Sequence, residues 1–465
     1  MHLLGNKWFR LAEWTFTIFL TSIVYYGWQP WSLMLMRSGA YEWLCDTDVP
    51  PIDDNYRCEA QYDAVGSLYT LATSSEFIFG IFAGWLFDNV GPRLTAIVGE
   101  VLFFAGYVMI LTSSSALPMY IPGHICAGAA VNLIAYPSFI LAEIWPNRSQ
   151  TLISVTLAVQ VGATIIAPMM ELVQVSSGWD FQVILGTYLA FCVPFVILYW
   201  LSLPRNRVLM RAEIAEATGA VYDQQAEKER DSGWHGYFNS MMTLEYVGVL
   251  IWYTASIMMY NSYTVRLRSH SGDAVANFMG WIMPAQGVLA VVFGFLNDKV
   301  ITIWIILGIT VGNILFLLIG FIPSTVAQYI GVVLYVITNS YIYTTKYTYT
   351  AELFPPEHFG KLAGTIGFAS GWLQMFNILI DKSGAAYSSL FTGWVIASAV
   401  LCGVLGWFLF RQVKRGITYK TSVNDVETSV LASSESTSTA GSRKRRGSKS
   451  TSVTSSVPTS TLSSS

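Results

Sequence analysis

Gly84-Trp85-Leu86-Phe87-Asp88-Asn89-Val90-Gly91-Pro92-Arg93 closes one apolar stretch and opens the next. It reads as a tight turn between two helices at a water boundary. Gly84 lets helices approach closely, Gly91 and Pro92 make the turn, and Asp88 and Arg93 put charges at the rim. The stretch has an echo: Gly294-Phe295-Leu296-Asn297-Asp298 follows at an offset of 210 residues. Ala142-Glu143-Ile144-Trp145-Pro146 has its own echo in Ala351-Glu352-Leu353-Phe354-Pro355, at an offset of 209. Two independent matches at nearly one offset point to a duplicated unit. Glu143 and Arg148 supply a second charge pair at the next boundary on the same side.

The surrounding chain of 465 residues is 53% hydrophobic and 12% charged, about half the charge density of a soluble domain. That depletion excludes a large soluble catalytic domain, and a net charge of −3 gives no basic surface for nucleic acid. Twelve stretches are long and apolar enough to cross a bilayer. They run over 11–36, 62–87, 93–113, 117–141, 150–172, 180–203, 243–265, 274–297, 301–322, 325–349, 358–380 and 387–410. Peptide groups in lipid must be paired within the segment, so these are helices. The expected fold is an all-α membrane protein of twelve transmembrane helices in two parallel six-helix halves, 1–203 and 243–410. A polar linker, 204–242, joins them. The tail, 411–465, has 25 Ser or Thr among its 55 residues and is expected to be disordered. Of the Lys and Arg residues, 20 fall on the face shared by the termini, five on the other, and Lys346 within a span. Both termini are therefore expected in the cytoplasm, with the plasma membrane as the first location and an organelle membrane as the alternative. Arg445-Arg446-Gly447-Ser448 has the form of a basophilic kinase site, which makes a kinase acting on Ser448 a candidate partner; a solvated linker is the competing reading.

Parallel six-helix halves about a solute path are the architecture of the major facilitator superfamily, and residues 84–93 resemble its signature between spans two and three. Tyr26-Gly27-Trp28-Gln29, Cys45 with Cys58-Glu59-Ala60-Gln61, and Phe354-Pro355-Pro356-Glu357-His358-Phe359-Gly360-Lys361-Leu362 resemble solute carrier family 43. That family holds sodium-independent facilitators of large neutral amino acids, with a purine-nucleobase carrier among its members. The resemblance implies a uniporter of amino acids working by alternating access. It implies no catalytic residue, cofactor or metal, and its partners are a small solute and the lipid bilayer. A nucleobase or sugar carrier, a proton-coupled carrier and a non-transporting sensor on the same scaffold stand as alternatives.

By the same resemblance the first, fourth, seventh and tenth spans line the cavity. Their central polar residues are the candidates to bind solute: Gly27, Trp28 and Gln29; Asn132 and Tyr136, which share a face at i, i+4; Tyr253, Tyr260 and Asn261; Asn339, Tyr343 and Lys346. Gly27 is expected to open backbone groups to the ligand, and Lys346 either binds a carboxylate or snorkels to the rim. An interhelical hydrogen bond is the competing reading for each polar residue. Asp88, Arg93, Glu143 and Arg148 are expected to gate the terminal face, with Asp298, Lys299 and Glu352 as a weaker second copy. Glu76, deep in span two, is either a proton site or a hydrogen-bond donor to a neighbouring helix. The second is favoured, because no second carboxylate or Arg lies near it on its own span to form a relay, and the 210 offset places the neutral Gln286 in the equivalent region. Cys45 and Cys58 lie on the oxidising side and are expected to form a disulfide; Cys126, Cys192 and Cys402 read as packing residues. Trp31, Trp179 and Trp407 read as interfacial anchors.

Overall fold

The computed structural model describes residues 7–46, 57–139, 149–204, 234–300, 302–354, 359–382 and 387–414. Glu143, Arg148, Ser448, most of the linker and the tail beyond Lys414 lie outside the described residues, as do the side chains of Asp88, Asp298, Lys299 and Glu352. Helices occupy the twelve apolar stretches, and no strand occurs among the described residues.

The first half comprises α1 (Lys7–Thr21), α2 (Trp28–Arg37), α3 (Glu59–Asn89), α4 (Pro92–Leu111), α5 (Tyr120–Ala135), α6 (Ser149–Gly162), α7 (Ile166–Ser177) and α8 (Phe181–Ser202). A short α9 (Trp234–Met241) leads into the second half. There follow α10 (Leu244–Ser271), α11 (Asp273–Ile282), α12 (Ala285–Lys299), α13 (Thr302–Gly320), α14 (Thr325–Leu353), α15 (Phe359–Gln374), α16 (Phe376–Lys382) and α17 (Tyr387–Lys414).

Four spans expected as single helices are interrupted. The first is α1 and α2 around a 3-10 turn at Val24–Tyr26; the fifth is α6 and α7 around another at Ala163–Ile165. The eighth, α11 and α12, bends by 51° at Pro284, whose ring removes one backbone donor and crowds the preceding turn. The eleventh divides into α15 and α16 at Met375. Among the described residues six helical segments are each long and apolar enough to cross a bilayer, and the bent pair makes a seventh. Most of the remainder fall short because they are broken or because, like α10, they bury polar side chains inside the protein. α10 also runs past the expected boundary at 265 to Ser271, since Arg268 is ion-paired with Asp273 instead of lying free in a loop.

The turn from α3 to α4 matches its sequence reading. Gly91 has φ 107°, open only to glycine without strain, and Pro92 takes the first helical position. Each half has its own core, one around Trp31 and Tyr107 and the other around Trp252, Tyr263 and Phe316. Trp31 is thus no interfacial anchor: it is fully buried, and its indole donates to His124 Nε2 at 3.2 Å. The halves meet along two seams, α3 against α15 and α6 against α12. A Cβ on Gly371 would lie 2.7 Å from the Ser74 carbonyl, and one on Gly287 would lie 2.5 Å from the Ala158 carbonyl.

Cys45 and Cys58 form a disulfide, with Cα atoms 5.7 Å apart. Arg57 bonds Glu42 at 2.6 Å, and Gln61 donates to the Met36 and Ala40 carbonyls, which ties the two flanks of the bridge to each other.

Two outcomes follow from this packing. Gly287→Ala should lower thermal stability in detergent, since overpacking against backbone costs about 1–3 kcal/mol. Gly186→Ala, whose Cβ would meet nothing within 4 Å, should match wild type. Alkylation of the denatured protein, read by mass, should modify the three thiols Cys126, Cys192 and Cys402 before reduction, and Cys45 and Cys58 only afterwards.

Candidate functional site

The middle of α3 reads Thr70-Leu71-Ala72-Thr73-Ser74-Ser75-Glu76-Phe77, a polar run inside a membrane helix, with every Thr, Ser and Glu in it buried. Such a run survives in lipid only if neighbours supply partners, and both halves do. Thr70 Oγ1 donates to Asn261 Oδ1 at 2.9 Å, Asn261 Nδ2 donates to Thr73 Oγ1 at 2.9 Å, and Gln374 Nε2 donates to the same oxygen at 2.8 Å. This belt ties α3 to α10 and α15.

One helical turn further along, Glu76 Oε2 accepts from the hydroxyls of Tyr25 at 2.8 Å and Tyr26 at 2.9 Å. Both tyrosines reach this one oxygen from the 3-10 turn at which the first span is interrupted. Glu76 is therefore an acceptor towards span one, where the sequence suggested a donor. The cation missing from its own span comes from the other half: Lys346 of α14 is 4% exposed, lies inside the protein instead of snorkelling to the rim, and interacts with the Glu76 charge. Lys346 Nζ lies 4.8 Å from the ring centre of Tyr347, 5.2 Å from that of Phe77 and 5.9 Å from that of Tyr253. Phe77 stacks on Tyr343 at 6.2 Å, and Tyr343 meets Tyr26 edge-on at 5.7 Å. Beyond Tyr26 the aromatic wall continues through Tyr69 to Trp28.

The other sequence candidates are distributed more widely. Gly27 gives a ligand no room, because a Cβ there would sit 2.6 Å from the Thr164 carbonyl; the breaks in spans one and five pack on each other. Asn132 donates to the Glu76 backbone carbonyl at 2.6 Å, an interhelical bond within the first half. Tyr136 packs with Leu157, Tyr347 and Ala363. Tyr260 bonds Asn313 at 2.5 Å inside the second half, and Asn339 lies 3.5 Å from both Gln286 and the Tyr335 hydroxyl. Tyr343 packs against both cores. Tyr25, Tyr26, Phe77, Thr73 and Gln374 were missed. The Ser/Thr run before Glu76 and the Tyr pair before Gly27 were the available signals.

Among the described residues, contacts between the halves lie at both ends of the site. On the disulfide face Gln29 Nε2 donates to the Thr264 carbonyl at 2.7 Å and the Tyr62 hydroxyl to the Val265 carbonyl at 3.1 Å. Arg268, paired with Asp273, reaches the Gln29 carbonyl at 3.4 Å. On the terminal face the cluster of Tyr136, Leu157, Tyr347 and Ala363 joins spans four, five, ten and eleven. Of the expected rim gate, the Arg93 side chain is described: it donates to the Leu201 and Leu203 carbonyls at the end of α8.

Two bundles with interrupted spans and a polar centre between them are a carrier architecture. Residues 11–378 match the Major Facilitator Superfamily. The chain belongs to that superfamily. It is accordingly a multi-pass membrane transporter and not an enzyme. Over 438 residues it is 21% identical to arginine transporter 1 of Toxoplasma gondii, covering 80% of this chain and 81% of that one. Over 364 residues it is 21% identical to the aromatic and large neutral amino acid transporter 5-3 of the same organism, covering 73% and 71%. Its fold is similar to that of a proton:xylose symporter bound to 6-bromo-6-deoxy-D-glucose, with a TM-score of 0.59 at 14% identity, covering 88% of this chain and 96% of that one.

In a superfamily carrier the disulfide-face closure must open. Ser32, itself buried, lines a small pocket at this closure with Trp28, Gln29 and Tyr62. A Ser32→Cys reporter on a background lacking the three free thiols should label faster when Gln29→Leu is added. The expected gain is about 2- to 10-fold, the equivalent of one hydrogen bond. An unchanged rate would mean that Gln29 holds nothing shut.

Proposed function

We propose that this chain is a facilitative carrier of amino acids, large neutral ones foremost, that alternates access about the centre formed by Glu76 and Lys346. The observation carrying the reading is the charge balance of that centre. One carboxylate comes from the first half and one ammonium from the second, both buried among aromatic rings. A zwitterionic amino acid brings the complementary two charges and no net charge, and a large apolar side chain suits aromatic walls. Arginine would add an uncompensated positive charge near Lys346, whereas a sugar or nucleobase would match neither ion. The relatives' names support amino acids as the class, and the site favours the neutral branch.

The moving bodies in this reading are 1–203 and 243–410, hinged by 204–242. Asp88, Arg93, Glu143 and Arg148, with Asp298, Lys299 and Glu352, gate the terminal face against the Gln29 closure on the other. The termini are cytoplasmic and the membrane is the plasma membrane, with Ser448 available to a kinase. Transport is uniport: two phenol donors and a nearby ammonium offset part of the Glu76 charge within the protein, and the solute's own ammonium supplies the rest, so no proton is needed to complete the site.

Counterflow into proteoliposomes tests the reading. L-phenylalanine and L-leucine should exceed arginine, adenine and glucose by at least about tenfold, the lower end for one unmatched buried charge. An inward proton gradient should not drive accumulation above equilibrium. Accumulation in wild type that is lost in Glu76→Gln would overturn uniport, and a preference for arginine would overturn the neutral branch. Movement of none of these solutes would favour the sensor alternative.

A further inference from the structure

We infer that Lys346 and the Tyr253 hydroxyl form an anion subsite that takes the carboxylate of the solute; its assignment to an amino acid rests on the function proposed above. Lys346 and Tyr253 belong to α14 and α10 of the second half, and their side chains are 4% and 0% exposed. An ammonium carries three donor hydrogens. None of those on Lys346 has a hydrogen-bond acceptor among the described residues, and Nζ is surrounded by the rings of Phe77, Tyr253 and Tyr347 and the open side of Gly367. Ring faces attract a cation but do not replace hydrogen-bond acceptors. Glu76 does not fill that role either, since it makes no ion pair with Lys346 within 4 Å.

Tyr253 gives a second, independent observation. Its hydroxyl is buried with no hydrogen-bond partner, a state that few buried polar groups occupy without a missing ligand or water. The Tyr253 ring lies against both Phe77 and Lys346, so the ammonium and the idle hydroxyl belong to one neighbourhood. A cation and a neutral donor, both lacking acceptors, fit an anion with two oxygens. Glu76 meets the opposite need. Its Oε2 is taken by Tyr25 and Tyr26, and its Oε1 accepts no hydrogen bond from a described residue. A solute with its carboxylate on the second half and its ammonium on the first then completes a charge bridge that the protein leaves open, and binding draws the halves together.

The test is ligand binding to the full-length protein in detergent, read by tryptophan fluorescence. The probes are L-phenylalanine, 3-phenylpropionate, which lacks the ammonium, and 2-phenylethylamine, which lacks the carboxylate. Lys346→Gln should weaken both carboxylates by at least about tenfold, as expected for hydrogen bonds to a charged group, and leave the amine unchanged or tighter. Lys346→Arg should restore most of the loss. Tyr253→Phe, which keeps the ring, should weaken the carboxylates alone by about 3- to 10-fold. Equal losses for amine and carboxylates in Lys346→Gln, or unchanged carboxylate binding in Tyr253→Phe, overturn the subsite, as does a wild type that binds neither carboxylate. Binding of L-phenylalanine that is indifferent to Lys346 leaves the amino-acid reading standing while the subsite falls. Binding of 3-phenylpropionate through Lys346 without binding of L-phenylalanine does the reverse.

Discussion

An ammonium and a carboxylate face each other across the two halves, where little water reaches either. Burying a bare ion costs several kcal/mol even after relaxation, and much of the local architecture serves to offset that cost. The broken first span brings Tyr25 and Tyr26 to one oxygen of Glu76, and the α3 and α14 aromatics put ring faces around Lys346. Compensation on each side is incomplete. The two ions are close enough to interact and are not joined, and the proposed zwitterion site rests on that gap.

Around that centre the contacts between halves are of two kinds. Along the seams, helices approach to backbone contact at Gly287 and Gly371, and the Thr70, Thr73, Asn261 and Gln374 belt adds buried polar bonds. At the disulfide face, closure combines side-chain bonds to the carbonyls of Thr264, Val265 and Gln29 with close packing of Gly280 on Pro30. Each such bond contributes about 0.5–1.5 kcal/mol net, and breaking it leaves groups that water can reach.

Much of this was legible before any coordinates. Twelve apolar stretches, two internal matches and the Gly91-Pro92 turn are properties of neighbouring residues, and hydropathy with local turn chemistry carries them to a bundle of paired halves. Glu76 and Lys346 each announced themselves as ionisable groups inside a span. The breaks in spans one and five were harder to see. Pro30 and Pro168 lie four residues past Tyr26 and Thr164, where each removes the donor that those carbonyls would take, but only the structure shows the two breaks packed on each other at Gly27 and Thr164.

The amino-acid sequence by itself determined the class of fold, the number of spans, the duplicated plan and the chemical character of the residues at mid-membrane. Only the tertiary structure decided which of those residues meet. Asn132, Tyr260 and Gly27 looked like Tyr343 and Lys346 in sequence, yet they face helices of their own half, whereas Tyr343 and Lys346 face the opposing one. Periodicity and hydropathy act over a few residues along the chain. The pairing of Glu76 with two tyrosines of span one and the approach of Lys346 from the other half depend on how helix faces pack across the whole bundle.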